Sequence, residues 1–249
     1  MHKFFMNSND QFEDDVIRIY GKEYYHMKKV LRMNLGEQVF VNKLEDEFLC
    51  KIINYENDFV ELKIIEKTKI DRELKTNIHL IQGYIKNDKM DLIMQKATEL
   101  GVYKITPLIT NRSVVKFNSS DKKKKRIERF SKIAKEASKQ SKRNQIPIID
   151  DILEFDDFIN IASNLENSLI LVPYENELTY KLADFFCENQ IQNYDNIYII
   201  IGPEGGFEKY EIAALSNIGA NLISLGNRIL RSETASLYTI SIVQYIVGQ

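Results

Sequence analysis

The chain has 249 residues, enough for one large domain or two modest ones with a substantial core. Its 44% hydrophobic and 28% charged content is that of an ordinary globular protein, and a formal charge of −2 gives no global signature of a polyanion binder. Two isolated cysteines, Cys50 and Cys187, fit a reducing cytoplasm better than secretion, and with His2, His26 and His79 they offer no metal-ligand spacing. The opening Met1 to Asn7 turns polar too soon for a signal-peptide core, and no run of about 18 apolar residues would span a membrane.

In chain order, the first 70 or so residues read as short strands. Gln38 to Asn42 and Phe59 to Ile65 alternate with period two, punctuated by Gly36 and the cluster Glu45-Asp46-Glu47, and only His26 to Arg32 looks helical. A small β-barrel or sandwich suits that pattern. A charged stretch from Lys69 to Lys75 marks a boundary, which divides the chain into expected domains 1–72 and 73–249. Beyond it, strands alternate with helices. Ile78 to Tyr84 precedes an amphipathic run through Met90, Ile93, Met94, Ala97 and Leu100, with Asp88 as N-cap and Gly101 as C-cap. Val102 to Thr106 follows as a strand. A long basic stretch from Lys122 to Arg143 carries Ile127, Phe130, Ile133, Ala134 and Ala137 at helical spacing, so its cations cover the opposite face. That face is either a nucleic-acid footprint or a plain solvated surface. Ser168 to Val172 and Ile197 to Ile201 are continuous apolar runs, as buried parallel strands require, and Asn221 to Leu225 is a shorter one. The expected fold is α/β with a parallel sheet.

Two loops carry the chemistry. Gly202-Pro203-Glu204-Gly205-Gly206-Phe207 leaves a buried strand and enters a helix, and its glycines demand positive φ or close approach by another group. Leu225-Gly226-Asn227-Arg228-Ile229-Leu230-Arg231-Ser232-Glu233-Thr234-Ala235 again leaves a strand through glycine and enters a helix, with Ser232 as the cap. Neither is a dinucleotide fingerprint, and no Walker lysine is present. Together they would build a surface of main-chain amides and carbonyls lined by Ile201, Leu225, Ile229 and Leu230, suited to an uncharged edge such as adenine. Arg231 precedes a helix, where the macrodipole disfavours a cation, so contact with an anionic or carbonyl-rich substrate explains it better than structure does. Glu204, Ser232, Glu233 and Thr234 also fit as residues that merely stabilise helix starts.

Read together, these loops resemble those of the bacterial 16S rRNA uridine-N(3) methyltransferases, the RsmE family. Lys96-Ala97-Thr98-Glu99-Leu100-Gly101-Val102, Arg112-Ser113-Val114, Gln140-Ser141-Lys142-Arg143, Pro147, and the amino-terminal His26, Val30-Leu31-Arg32 and Gly36-Glu37 extend the likeness over nearly the whole chain. The resemblance implies a trefoil-knotted SPOUT methyltransferase domain preceded by a small PUA-like β-barrel. It implies S-adenosyl-L-methionine as cofactor, no metal, and 16S ribosomal RNA or the small subunit as partner. It also implies a cytoplasmic homodimer whose interface uses the apolar final helix, Glu233 to Val247. Cofactor contacts would come from Leu171, Val172 and Pro173, from Ile201, Gly202, Pro203 and Gly206, and from Leu225, Gly226, Ile229, Leu230, Thr234 and Ala235. RNA contacts would come from Arg32, Lys96, Arg112, Gln140 and Arg143. Arg231 would stabilise the uracil anion, with Glu204, Glu233 or water accepting the imide proton. The alternatives are a knotted methyltransferase acting on a ribose hydroxyl or on tRNA, and a non-catalytic ribosome-assembly factor.

Overall fold

The computed structural model describes residues 1–248, the side chain of Asn87 apart, so Gln249 at the end of the expected second domain lies outside it. The chain divides into two units, Met1–Glu73 with Ser138–Gln145, and the rest. The inclusion of Ser138–Gln145 in the first unit has no counterpart in the sequence-based division.

The first unit is a six-stranded sheet ordered β1-β4-β5-β6-β3-β2. Its strands are β1 (Lys3–Phe5), β2 (Gln11–Glu13), β3 (Val16–Tyr20), β4 (Gln38–Lys43), β5 (Asp46–Tyr55) and β6 (Phe59–Lys67). Helix α1 (Gly21–Tyr25) runs into one π-helical turn, His26–Val30. Pairing is antiparallel except between β1 and β4. Period-two burial puts Ile17, Ile19, Val39, Val41, Val60 and Leu62 inside one apolar cluster. Register shifts at Leu49/Cys50 and Ile52/Asn54 bend β5. The acidic cluster 45–47 is not a break between strands: the turn is confined to Leu44-Glu45, and Glu47 lies inside β5, buried against Lys3 at 2.6 Å. Hydrogen bonds from Lys3 and Thr68, with the Lys3 and Arg72 charges, outweigh its burial and hold this carboxyl below the usual range.

The second unit holds a parallel sheet ordered β10-β8-β7-β12-β11-β13, with β9 beside β8. Its strands are β7 (Asn77–Gly83), β8 (Lys104–Ile109), β9 (Ile148–Ile149), β10 (Leu153–Glu154), β11 (Ser168–Pro173), β12 (Asn196–Ile201) and β13 (Asn221–Ile223). Helices α2 (Asn87–Glu99), α3 (Ser120–Ser141), α4 (Phe155–Ala162), α5 (Leu182–Glu188), α6 (Lys209–Asn217) and α7 (Ser232–Val247) alternate with them. The continuous apolar strands feed two layers at once. Leu169, Leu171, Ile197, Ile199 and Ile201 join α2, α5 and α7 residues in one cluster. Ile170, Val172 and Ile200 point the other way, into the layer filled by α4 and α6. Gly101, at φ +86, follows the C-cap Leu100 of α2 and permits the left-handed turn that ends it. The start of α2 differs from expectation: Lys86 occupies the N-cap, no side chain caps it, and Asp88 sits within the first turn instead.

All these strands point the same way, so the carboxyl ends of β7, β8, β11, β12 and β13 lie along one edge of the sheet. Both glycine-bearing loops leave from that edge. Among the described residues no helix is long and apolar enough to cross a membrane.

Candidate active site

The loop after β12 is held from three sides. Beneath it is Gly83, the last residue of β7: a Cβ there would lie 2.5 Å from Pro203 N, 2.7 Å from Gly202 C and 2.8 Å from Ile201 O. Only glycine allows that approach of backbone to backbone. Within the loop, the Gly206 N–H donates to Pro203 O at 3.0 Å, and φ of +70 at Gly206 closes the turn. Glu208 then caps α6, and its backbone N–H and the Glu211 side chain complete a capping box. On the outer side, Arg112 donates from Nη1 to Gly205 O at 2.9 Å and from Nε and Nη2 to the two oxygens of Glu208 at 2.9 and 3.0 Å. That fork holds the Glu208 carboxyl below its ordinary range.

The third attachment is α7. Ser232 Oγ donates to Gly202 O at 2.6 Å and accepts from Gln82 Nε2 at 3.0 Å. Gln82, fully buried, also donates to Gly83 O, and its Oε1 accepts a short hydrogen bond from Ser236 Oγ. Three buried polar side chains, Gln82, Ser232 and Ser236, thus join the end of β7, the loop after β12 and the start of α7. The N-cap of α7 is Arg231, not Ser232, and it makes no side-chain cap. The expected serine cap is instead the first helical residue, and its hydroxyl is committed to the other loop.

The structure therefore brings Gly202 beside Ser232. Glu204 and Glu233 both face Lys89 of α2, at 4.0 and 3.1 Å from its Nζ. Arg231 is exposed, and among the described residues its guanidinium has no hydrogen bond or ion pair, in contrast to Arg112, Arg129 and Arg143. Leu225 and Leu230 pack at the margin of the core, Gly226 turns at φ +107, and Thr234 is exposed. Ala235 is buried. Ile229 does not line an interior surface: it is 85% exposed. Leu171 and Val172 point into opposite apolar layers, which leaves only their backbone for a ligand, and Pro173 pairs with Ile223.

The residues expected to touch RNA scatter in character. Arg32 and Gln140 are exposed, and Lys96 pairs with Glu99 one turn away at 2.8 Å. Arg112 is the clamp just described. Arg143 differs from them: its side chain is 5% exposed and pairs with Glu73 within the amino-terminal unit. In α3, Arg129 pairs with Asp91 and Lys123 with Glu154, so part of the basic run is neutralised locally. Gln82, Gly83, Lys89 and Ser236 went unrecognised in the sequence. A glutamine and a glycine ending an apolar strand were the available signal for the first two.

A family profile described as RNA methyltransferase domain matches residues 72–244. Ribosomal RNA small subunit methyltransferase E of Bacillus subtilis is 33% identical over 98% of this chain and 96% of its own length. The chain belongs to that methyltransferase E family. Its relative from Mesomycoplasma hyopneumoniae is 31% identical over 97% of this chain and 98% of its own. Among solved members, the Neisseria gonorrhoeae methyltransferase E bound to S-adenosyl methionine superposes with TM-score 0.83 at 28% identity, covering 98% of this chain and 97% of that one. A Legionella pneumophila protein in complex with the cofactor SAM gives 0.84 at 31% identity, covering 98% and 96%.

Proposed function

We propose that this chain transfers a methyl group from S-adenosyl-L-methionine to the ring nitrogen at position three of a uridine in 16S ribosomal RNA. The observation that carries the reading is the Ser232–Gly202 hydrogen bond, which makes one site of two loops distant in sequence. The residues present fit the donor. Main chain made approachable by glycine, the apolar flank of Leu225 and Leu230, and the nearby carboxylates of Glu204 and Glu233 suit a nucleoside that carries a positive charge. When bound, that group supplies an already activated methyl. What remains for the protein is alignment and management of the imide proton.

In this reading Gly202, Pro203, Gly206, Leu225, Gly226 and Leu230 hold the donor. Arg231, exposed and unpaired, hydrogen-bonds the carbonyls that flank the uracil nitrogen as negative charge grows there. Arg32, Gln140 and the lysines of α3 that make no ion pair among the described residues, such as Lys122 and Lys124, bind phosphates. The amino-terminal unit serves as a PUA-like barrel that presents RNA. We read the β13–α7 passage as the closing strand of a trefoil knot. Support comes from the end of β13 bonding to the chain that enters α5, Leu182 N–H to Ser224 O and Ser224 N–H to Tyr180 O, followed by α7 packing back on α2, β7 and β12. The exposed Tyr238 and Tyr245 of α7 support a homodimer through that helix, and we place the enzyme in the cytoplasm.

The test is incubation with small subunits lacking the modification, followed by nucleoside mass spectrometry. 3-Methyluridine in 16S RNA is expected. A 2′-O-methylated nucleoside, methylated tRNA, or no methylation sinks the proposal. Arg231→Ala with donor binding intact and turnover unchanged removes arginine from the chemistry.

A further inference from the structure

In the first turn of α2, Lys89 stands between two carboxylates that the sequence offers as alternatives for one role. Its Nζ lies 3.1 Å from Glu233 Oε1 and 4.0 Å from Glu204 Oε1. Glu204 also accepts from the Lys86 backbone N–H at 3.4 Å, a second contact between the start of α2 and the same loop. The three side chains are 27%, 14% and 27% exposed for Lys89, Glu233 and Glu204, so water screens them less than it would at an open surface. A cation in the first turn of a helix opposes the macrodipole, and this position is tolerable because two anions face it. Nor does the core need Lys89. Met90, Ile93, Met94 and Ala97 supply the buried face of α2.

We propose that Lys89 is a positioning residue of the methyl-donor site, acting through Glu204 and Glu233; this rests on reading those loops as the donor site. The two carboxylates belong to different segments, the loop after β12 and the first turn of α7. With the ammonium present they are drawn toward a common point. Without it they repel, and the segments that carry them lose their shared anchor beside the Ser232–Gly202 bond. Both carboxylates are then holding groups rather than proton acceptors, and the imide proton leaves to water.

The experiment is calorimetric titration of S-adenosyl-L-methionine into the full chain and into K89M, K89R, E204Q, E233Q and K89M/E233Q. Thermal unfolding and steady-state methylation are recorded for each. K89M is expected to weaken donor binding and raise its KM about two- to fivefold, the range of a partly exposed ion pair, with kcat little changed. K89R recovers most of that loss. In the double variant the two losses combine to less than their product, because removing a carboxylate also relieves the repulsion that K89M creates. Equal binding by K89M and the parent, or losses that multiply in the double variant, overturns the role of Lys89. So does E233Q or E204Q abolishing kcat at unchanged KM, which makes that carboxylate the base. E233Q and E204Q leave α2 intact, so they keep the test decisive if K89M fails to fold. A parent chain that does not bind the donor takes down the site reading itself, a result distinct from all of these.

Discussion

Gly83→Ala is the sharpest perturbation of the site. A Cβ there would stand 2.5 Å from Pro203 N, whereas ordinary contact begins near 3.4 Å, so the loop must retreat by about 0.9 Å. The neighbours are all backbone, at Ile201, Gly202 and Pro203, and no side-chain rotation relieves the clash. Overpacking of this kind costs about 1–3 kcal/mol, or roughly 2–12 °C in Tm for a protein of this size. The functional loss is larger, because a displacement near 1 Å at a reacting site costs on the order of 100-fold. Gly219→Ala is the control: its φ is +81 but nothing lies within 4 Å of the added Cβ, so it carries backbone strain alone. Calorimetry and donor titration on both variants separate the effects. G83A should melt lower and bind the donor far more weakly, while G219A loses about 1 kcal/mol of stability and keeps parental affinity. A G83A chain that binds like the parent would refute the close approach of β7 to the loop.

Ser232→Ala leaves Gly202 O and Gln82 without their buried partner and should cost about 1–3 kcal/mol by urea titration; a neutral result contradicts the network. Arg143→Ala removes the charge partner of Glu73, which keeps only its backbone donors at Asn144 and Gln145, and should destabilise by about 1–3 kcal/mol; a surface-like effect below 0.5 kcal/mol contradicts an interior pair. Burial pushes the His79 imidazole below its ordinary value despite its hydrogen bond with Asn196, so the folded chain keeps it neutral while the unfolded chain protonates near pH 6.5. Its contribution is present above that pH and declines as pH falls toward the folded value. The stability difference between parent and H79F should therefore shrink between pH 7.5 and 5.5, and a constant difference contradicts it.

How much of this was legible depends on the range of the signal. Buried strands such as Ile197–Ile201 announce themselves because both faces are covered, and glycine clusters announce backbone demands. The two loops were therefore visible before any coordinates. What pairs with what was not. Arg143 looks like part of a basic run until the fold brings Glu73 beside it, and Lys89 looks like a surface lysine until Glu233 arrives from α7. Ser232 fits the cap preference as well as it fits a bond to Gly202, and only tertiary structure chooses. The cluster at residues 45–47 failed for a related reason: a buried partner, Lys3, lets Glu47 lie within a strand.

The central claim is that the turns at 202–206 and 225–235 together hold the methyl donor. A crystal structure of the chain soaked with S-adenosyl-L-methionine tests it most directly. Density for the adenosyl group bounded by both turns, near Ser232 and Gly202, is the predicted result. Density elsewhere on the molecule, or against one turn with the other uninvolved, would contradict it.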